Sequence, residues 1–219
     1  MKAAAFNKLI ADTYTTPEKS VIVYARLLKE AGLMTTGARG RNAPEMTPLD
    51  AARMTIALLT TDGPSQCVER VQRFGSIKFS PRFSKMIRGY ETMSPDQFSN
   101  LFAGETLEEV LAQIFALPAA LGIRGSYEWL NQNTFHLRVF DFDVLAELFQ
   151  WKMDGRVIAG ELVVPFKGET MVHTADGFRP VEGFTPIGGG IRTERSISGL
   201  KFLEIGLGLM TEDQKEGRA

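Results

Sequence analysis

Cysteine and histidine are scarce in this sequence. Cys67 stands alone among 219 residues, so neither an intramolecular disulfide nor a multi-cysteine metal site can form, a usage that suits a reducing cytoplasm. The two histidines, His136 and His173, are 37 positions apart, which excludes a local His-x-x-x-His metal pair. Phosphate loops of the Gly-x-x-x-x-Gly-Lys-Ser/Thr type and Gly-x-Ser-x-Gly elbows are absent too. The familiar nucleotide-hydrolysing and serine-hydrolase signatures are therefore missing, and neither an enzyme nor a cofactor is expected. Long apolar runs are short: residues 110–123 make the longest, 14 residues interrupted by Gln113 and Pro118, below what a bilayer crossing needs. The apolar start at 3–6 is broken by Asn7, Lys8 and Asp12, so no secretory signal is expected.

What is present is enough for a sizeable core, with 44% hydrophobic and 10% aromatic residues. The formal charge of −1 conceals an asymmetry. Residues 1–90 carry 14 basic and 7 acidic side chains, a balance of +7, whereas residues 91–219 carry 11 and 19, a balance of −8. A basic part that meets a polyanion and an acidic part with another task is the reading this suggests. We set the boundary near residue 90.

The first 62 residues read as three helices. Phe6, Leu9, Ile10 and Thr13 share one face of the first. In Thr15-Thr16-Pro17-Glu18 a threonine can cap the second helix, Pro17 fits its first position and Glu18 favours its N-terminal dipole. Its apolar positions are Tyr24, Leu27, Leu28 and Ala31, and Gly32 is placed to end it in a left-handed conformation. Residues 35–44 lack periodicity and hold Arg39-Gly40-Arg41, so they form a basic loop. Thr47-Pro48-Leu49-Asp50 is a capping box that opens the third helix, and Gly63-Pro64 stops it. Another helix is expected over 66–74, with Cys67 in its core face.

Helix, turn, helix, basic loop, helix is the order of a winged helix-turn-helix module. Arg26-Leu27-Leu28-Lys29-Glu30-Ala31-Gly32-Leu33-Met34, the loop, and Thr47-Pro48-Leu49-Asp50-Ala51-Ala52-Arg53 together resemble the recognition helix, wing and following helix of MerR-type DNA-binding domains. The resemblance covers about 60 residues, departs from that family's usual aromatics at Leu27 and Leu28, and implies a DNA contact for Arg26. In style the segment also resembles small regulators of bacteriophages and mobile elements. Arg39-Gly40-Arg41 is the core tripeptide of AT-hooks, whose extended arginines enter narrow minor grooves, although Asn42 stands where a proline usually follows. Lys19 and Ser20, at the start of the second helix, are candidates for base readout, and Arg26, Lys29, Arg39, Arg41 and Asn42 for phosphate or minor-groove contact. Lys2, Lys8 and Arg53 are further phosphate candidates.

The second half turns from helical to extended. Ser94-Pro95-Asp96-Gln97 and Thr106-Leu107-Glu108-Glu109 are capping boxes, the latter opening a helix along Leu107, Val110, Leu111 and Ile114. Phe135, Leu137 and Val139 alternate with His136 and Arg138 as a strand, and Asp154-Gly155 marks an antiparallel hairpin. Residues 144–151 suit strand or helix, as do 197–210, and the last nine residues look frayed. Asp141, Asp143, Glu147 and Glu161 are the best carboxylate set for a magnesium ion, although a solvated strand edge explains them as well. Trp129, Trp151, Phe140, Phe142 and Phe149 make this half aromatic, for core packing or a protein-binding surface.

The expectation is an α+β protein with a winged helix-turn-helix module in residues 1–90 and a mixed domain in 91–219 for assembly or partner binding. It would be a cytoplasmic, homodimeric, sequence-specific regulator of double-stranded DNA, most simply a repressor, with no membrane contact and no metal. The alternatives are a phage DNA-packaging or structural component of small-terminase type, a protein-interaction module, and a magnesium-dependent nuclease acting through Asp141 and Asp143.

Overall fold

Local signals in the first quarter of the chain become three helices, α1 (Ala3–Tyr14), α2 (Glu18–Glu30) and α3 (Pro48–Thr60). The computed structural model describes residues 1–38, 40–79, 106–140, 145–154, 157–167, 171–174, 177–180 and 194–217. Within them follow α4 (Cys67–Gly75), β1 (Lys78–Phe79), α5 (Leu107–Gln132), β2 (Asn133–Phe140), β3 (Leu145–Asp154) and β4 (Val157–Lys167). The chain continues as β5 (Met171–Thr174), β6 (Gly177–Pro180), β7 (Glu194–Ser198), α6 (Gly199–Leu209) and α7 (Glu212–Lys215). The class is α+β. Strands β1, β4, β3, β2 and β7 form one antiparallel sheet in that order, and β5 and β6 pair separately.

Helix α2 ends as the glycine predicts. Gly32 has φ +71°, Leu33 N–H donates to Leu28 O at 2.8 Å and Gly32 N–H to Lys29 O at 3.0 Å, which satisfies two carbonyls that the helix leaves free. Of its expected stripe, Tyr24 and Leu28 are buried and Leu27 is half-buried, but Ala31 is exposed because the chain has already left the helix there. The same kind of ending closes α1, with Thr15 at φ 52° in place of a glycine and Thr16 N–H bonded to Ala11 O at 2.9 Å. A β-branched residue in that region is strained.

One apolar core joins the N-terminal helices to the later elements. It includes Phe6 and Ile10 of α1, Leu28 of α2, Met54 and Ile56 of α3, Leu111 and Phe115 of α5, Leu137 of β2 and Phe202 of α6. Phe115, Phe202 and Phe135 stack in sequence with centroids 5.0 and 5.3 Å apart, and Trp129 meets Phe135 edge-on at 5.8 Å. Phe135, Leu137 and Val139 point into this core, as their alternation requires, while His136, Arg138 and Phe140 are half-buried. The boundary expected near residue 90 lies outside the described residues.

Polar pairs lock the layers. Thr55 and Thr61 each donate their hydroxyl hydrogen to a carbonyl of α3, Ala51 O and Ala57 O at 2.8 Å. The buried hydroxyls of Tyr14 and Tyr24 therefore donate to them, at 2.6 and 2.9 Å, fastening α1 and α2 to α3. Burial pushes the Tyr14 hydroxyl well above its usual range. Arg53 forks onto Glu108 of α5, Nε to Oε2 at 2.9 Å and Nη2 to Oε1 at 3.2 Å, and its Nη1 donates to Leu33 O at 3.0 Å. Arg195 of β7 reaches Leu59 O at 3.1 Å and pairs with Asp62.

Several open or mistaken readings resolve. Residues 145–154 are strand, because they pair on both sides, and β3 and β4 make the hairpin with Asp154 opposite Val157. Residues 194–209 change from strand to helix at Gly199. The chain end is less frayed than expected: Thr211 and Gln214 form a capping box around α7, bonds of 2.9 and 3.3 Å. The apolar run at 110–123 belongs to a longer helix, of which Leu107–Asn131 has the length and hydropathy of a membrane span. Its first half lies in the core through Leu107, Val110, Leu111, Ile114 and Phe115, and it breaks at Gly122, φ 71°. Between α2 and α3 the described residues hold no strand, only a 3-10 turn at Gly40–Asn42.

Replacing Thr15 by glycine removes the left-handed β-branched residue from an exposed turn. The expected outcome in thermal unfolding is a midpoint raised by about 2–4 °C, the equivalent of about 1 kcal/mol. A lowered midpoint would contradict strain at Thr15.

Candidate nucleic-acid interface

Helix α2 turns Val21, Tyr24, Ala25 and Leu28 inward and leaves Lys19, Ile22 and Arg26 outward, spaced i, i+3 and i+7. Ile22 is 46% exposed. Arg26 lies 3.7 Å from Glu30 with both side chains in solvent, a weak pair that leaves the guanidinium free to exchange partners. Ser20 is half-buried in the first turn, its N–H donating to Pro17 O at 2.9 Å.

The basic loop follows directly and is tied down at both ends by one carboxylate. Asp50, 3% exposed, accepts from Thr35 N–H at 2.7 Å, Thr35 Oγ1 at 2.8 Å, Thr47 N–H at 2.7 Å and Thr47 Oγ1 at 2.9 Å. Thr47 Oγ1 in turn accepts from Asp50 N–H at 3.2 Å, completing the predicted cap. Two further anchors come from the residues before α1: Met46 N–H donates to Met1 O at 2.9 Å, and Lys2 Nζ donates to Ala43 O. The tip is a short turn closed by Ala43 N–H on Gly40 O at 3.0 Å, with Arg41 and Asn42 exposed. Arg39 lies outside the described residues.

Between this loop, the first turn of α1 and the end of α2 is a cleft of about 490 Å³. Lys2 and Lys29 are among its lining residues, and Ala3, Ala4, Pro44 and Met46 form part of its wall. Glu45 sits beside it, 4.0 Å from Lys2 Nζ and 3.0 Å from the Met1 ammonium, whose hydrogen bond and charge hold the Glu45 carboxyl below its usual range. The structure thus brings Lys29 to the loop, while Lys19 and Ser20 stand at the other end of α2, about 15 Å along the axis.

Other expected residues fall elsewhere. Arg53 faces inward onto Glu108 and Leu33, so it is not available to phosphate, while Lys8 is exposed on α1. Cys67 is fully buried, which pushes its thiol up, as befits a core residue. Asp141, Asp143 and Phe142 lie outside the described residues, as does the Ser94 capping box. Among the described residues no three His, Cys, Asp or Glu side chains converge as a metal site would require. Sequence reasoning missed the clamp of Asp50 on Thr35 and the apolar wall of the cleft. The first had a signal, a second threonine at the far end of the loop; the second had none, because alanines and a proline carry no pattern.

Replacing Asp50 by alanine leaves four donors without their acceptor in a partly buried place. Denaturant unfolding should show a loss of about 3 kcal/mol, and trypsin should cleave after Arg41 faster. A loss below about 1 kcal/mol would mean that the loop ends are held by other contacts.

The chain matches no family model, no curated protein and no solved structure.

Proposed function

We propose that this chain binds double-stranded DNA as a homodimeric regulator of transcription, acting as a repressor. The observation that carries this reading is the continuity of the outward α2 stripe, Lys19, Ile22 and Arg26, with a basic loop anchored at both ends and presenting Arg41 and Asn42. In this reading α1, the turn at 15–17 and α2 act as a helix-turn-helix of the kind the MerR resemblance implies. The loop stands where a wing would, as an irregular segment in place of a β-hairpin. Lys19 and Ser20 read base edges, Arg26 and Lys29 hold phosphates, and Arg39, Arg41 and Asn42 follow the backbone or the minor groove. A single small helix gives too little specific affinity, so two copies on a two-fold site are part of the proposal.

The test is a titration of the full chain against random duplex DNA at two salt concentrations, with sequencing of the retained fraction and light scattering of the free protein. Enrichment of a two-fold site by a dimer is expected. The double substitution Arg39→Ala/Arg41→Ala should weaken binding and reduce the salt slope by about 2, roughly one per lost phosphate contact. No retention at low salt would refute the proposal, and a large ring with no sequence preference would replace it with a packaging role.

A further inference from the structure

The cleft beside α2 has a composition of its own. Its volume of about 490 Å³ is that of a small-molecule site. The walls contributed by Ala3, Ala4, Pro44 and Met46 offer apolar contact, and the described lining side chains with polar groups are Thr35, Thr36, Lys2 and Lys29, of which the two lysines carry charge. Among the described residues Lys29 has no acidic partner within ion-pair distance, whereas Lys2 is shared with Ala43 O and, at 4.0 Å, Glu45. A neutral apolar guest would desolvate Lys29 without compensation. A bare inorganic anion would leave the apolar wall in water.

We infer that the cleft binds a small organic anion, a carboxylate or phosphate ester with a compact apolar body. Its charged end lies between Lys2 and Lys29 and its body lies against Ala4 and Pro44. The clamp of Asp50 on Thr35 and Thr47 pre-forms the loop side of this site, which lowers the ordering entropy lost on binding. Because Lys29 also belongs to the proposed DNA face, an occupant would neutralise a phosphate-binding charge and lower DNA affinity. That coupling rests on the DNA reading; the binding does not.

The experiment is ligand-observed NMR on the full chain with a library of small carboxylates and organic phosphates, and with inorganic phosphate and a short DNA duplex in separate arms. At least one organic anion should bind with Kd below about 1 mM. Lys29→Gln should weaken it about tenfold or more. Ala4→Phe, which fills the cleft from an exposed helix position, should abolish it, and Lys8→Gln, outside the cleft, should leave it unchanged. Thermal midpoints of the variants verify that each is folded.

The inference is overturned if no library member binds, if binding ignores both Lys29→Gln and Ala4→Phe, or if inorganic phosphate binds as tightly as the best organic anion. Occupation by the duplex alone would overturn it equally. An organic anion that binds while the duplex does not would keep the site and remove only its coupling to DNA.

Discussion

Burying an ionised carboxylate is unfavourable unless donors replace its water, and Asp50 meets that condition with hydrogen bonds from both Thr35 and Thr47. Much follows from it. By joining residues on either side of the basic loop, Asp50 decides where Arg41 and Asn42 stand relative to α2. By capping α3 it fixes where that helix begins, and so where Arg53, one turn later, meets Leu33 O and Glu108. The end of α2, the loop, α3 and α5 are thus referred to one another through two charged side chains that are adjacent on one helix. Tyr14 and Tyr24 extend the arrangement to α1 and α2, with hydroxyls that donate to threonines already committed to helix carbonyls.

The basic surplus of the N-terminal part is only partly a surface property. Arg53 is spent internally, 21% exposed against a Glu108 that is 23% exposed, so its charge stabilises a helix contact and does not reach solvent as a free cation. Arg26 keeps an acidic neighbour, Glu30. The exposed cations that remain along α2 and the loop, Lys19 and Arg41 among them, are fewer than a count of residues suggests. Their placement along α2 and the following loop matters more than their number.

How much was legible in the sequence depends on how local each signal was. The caps at Thr47 and Thr106, the end of α2 at Gly32 and the hairpin after Asp154 are written within five residues, and each is where the pattern puts it. The alternation at Phe135, Leu137 and Val139 also carried through, since one sheet face is buried. Segments 144–151 and 197–210 stayed ambiguous because their state depends on strands far away in sequence. Thr211 to Gln214 is an ordinary capping box that composition obscured, surrounded as it is by charge and glycine. At the candidate site the exposed residues of α2 and the loop were readable, but the inward turn of Arg53 was not, because its partner Glu108 is 55 positions away. The cleft required the fold itself.

Helix α6 packs unusually close to its neighbours. A side chain at Gly206 would meet Phe115 O and the Pro118 ring at 2.8 Å, and one at Gly208 would meet Leu9 of α1 at 2.4 Å. The first helix therefore finds one of its partners only near the end of the described chain. During synthesis, at about 5–20 residues per second, α1 emerges roughly 10–40 seconds before α6 can reach it. For that interval its apolar face, Phe6 and Ile10 included, must be sheltered by elements made before α6, α2 first among them, or by cellular factors that hold nascent chains. The ribosome thus imposes an order of assembly in which α1, made well before α6, is closed on that side only after most of the described residues have emerged.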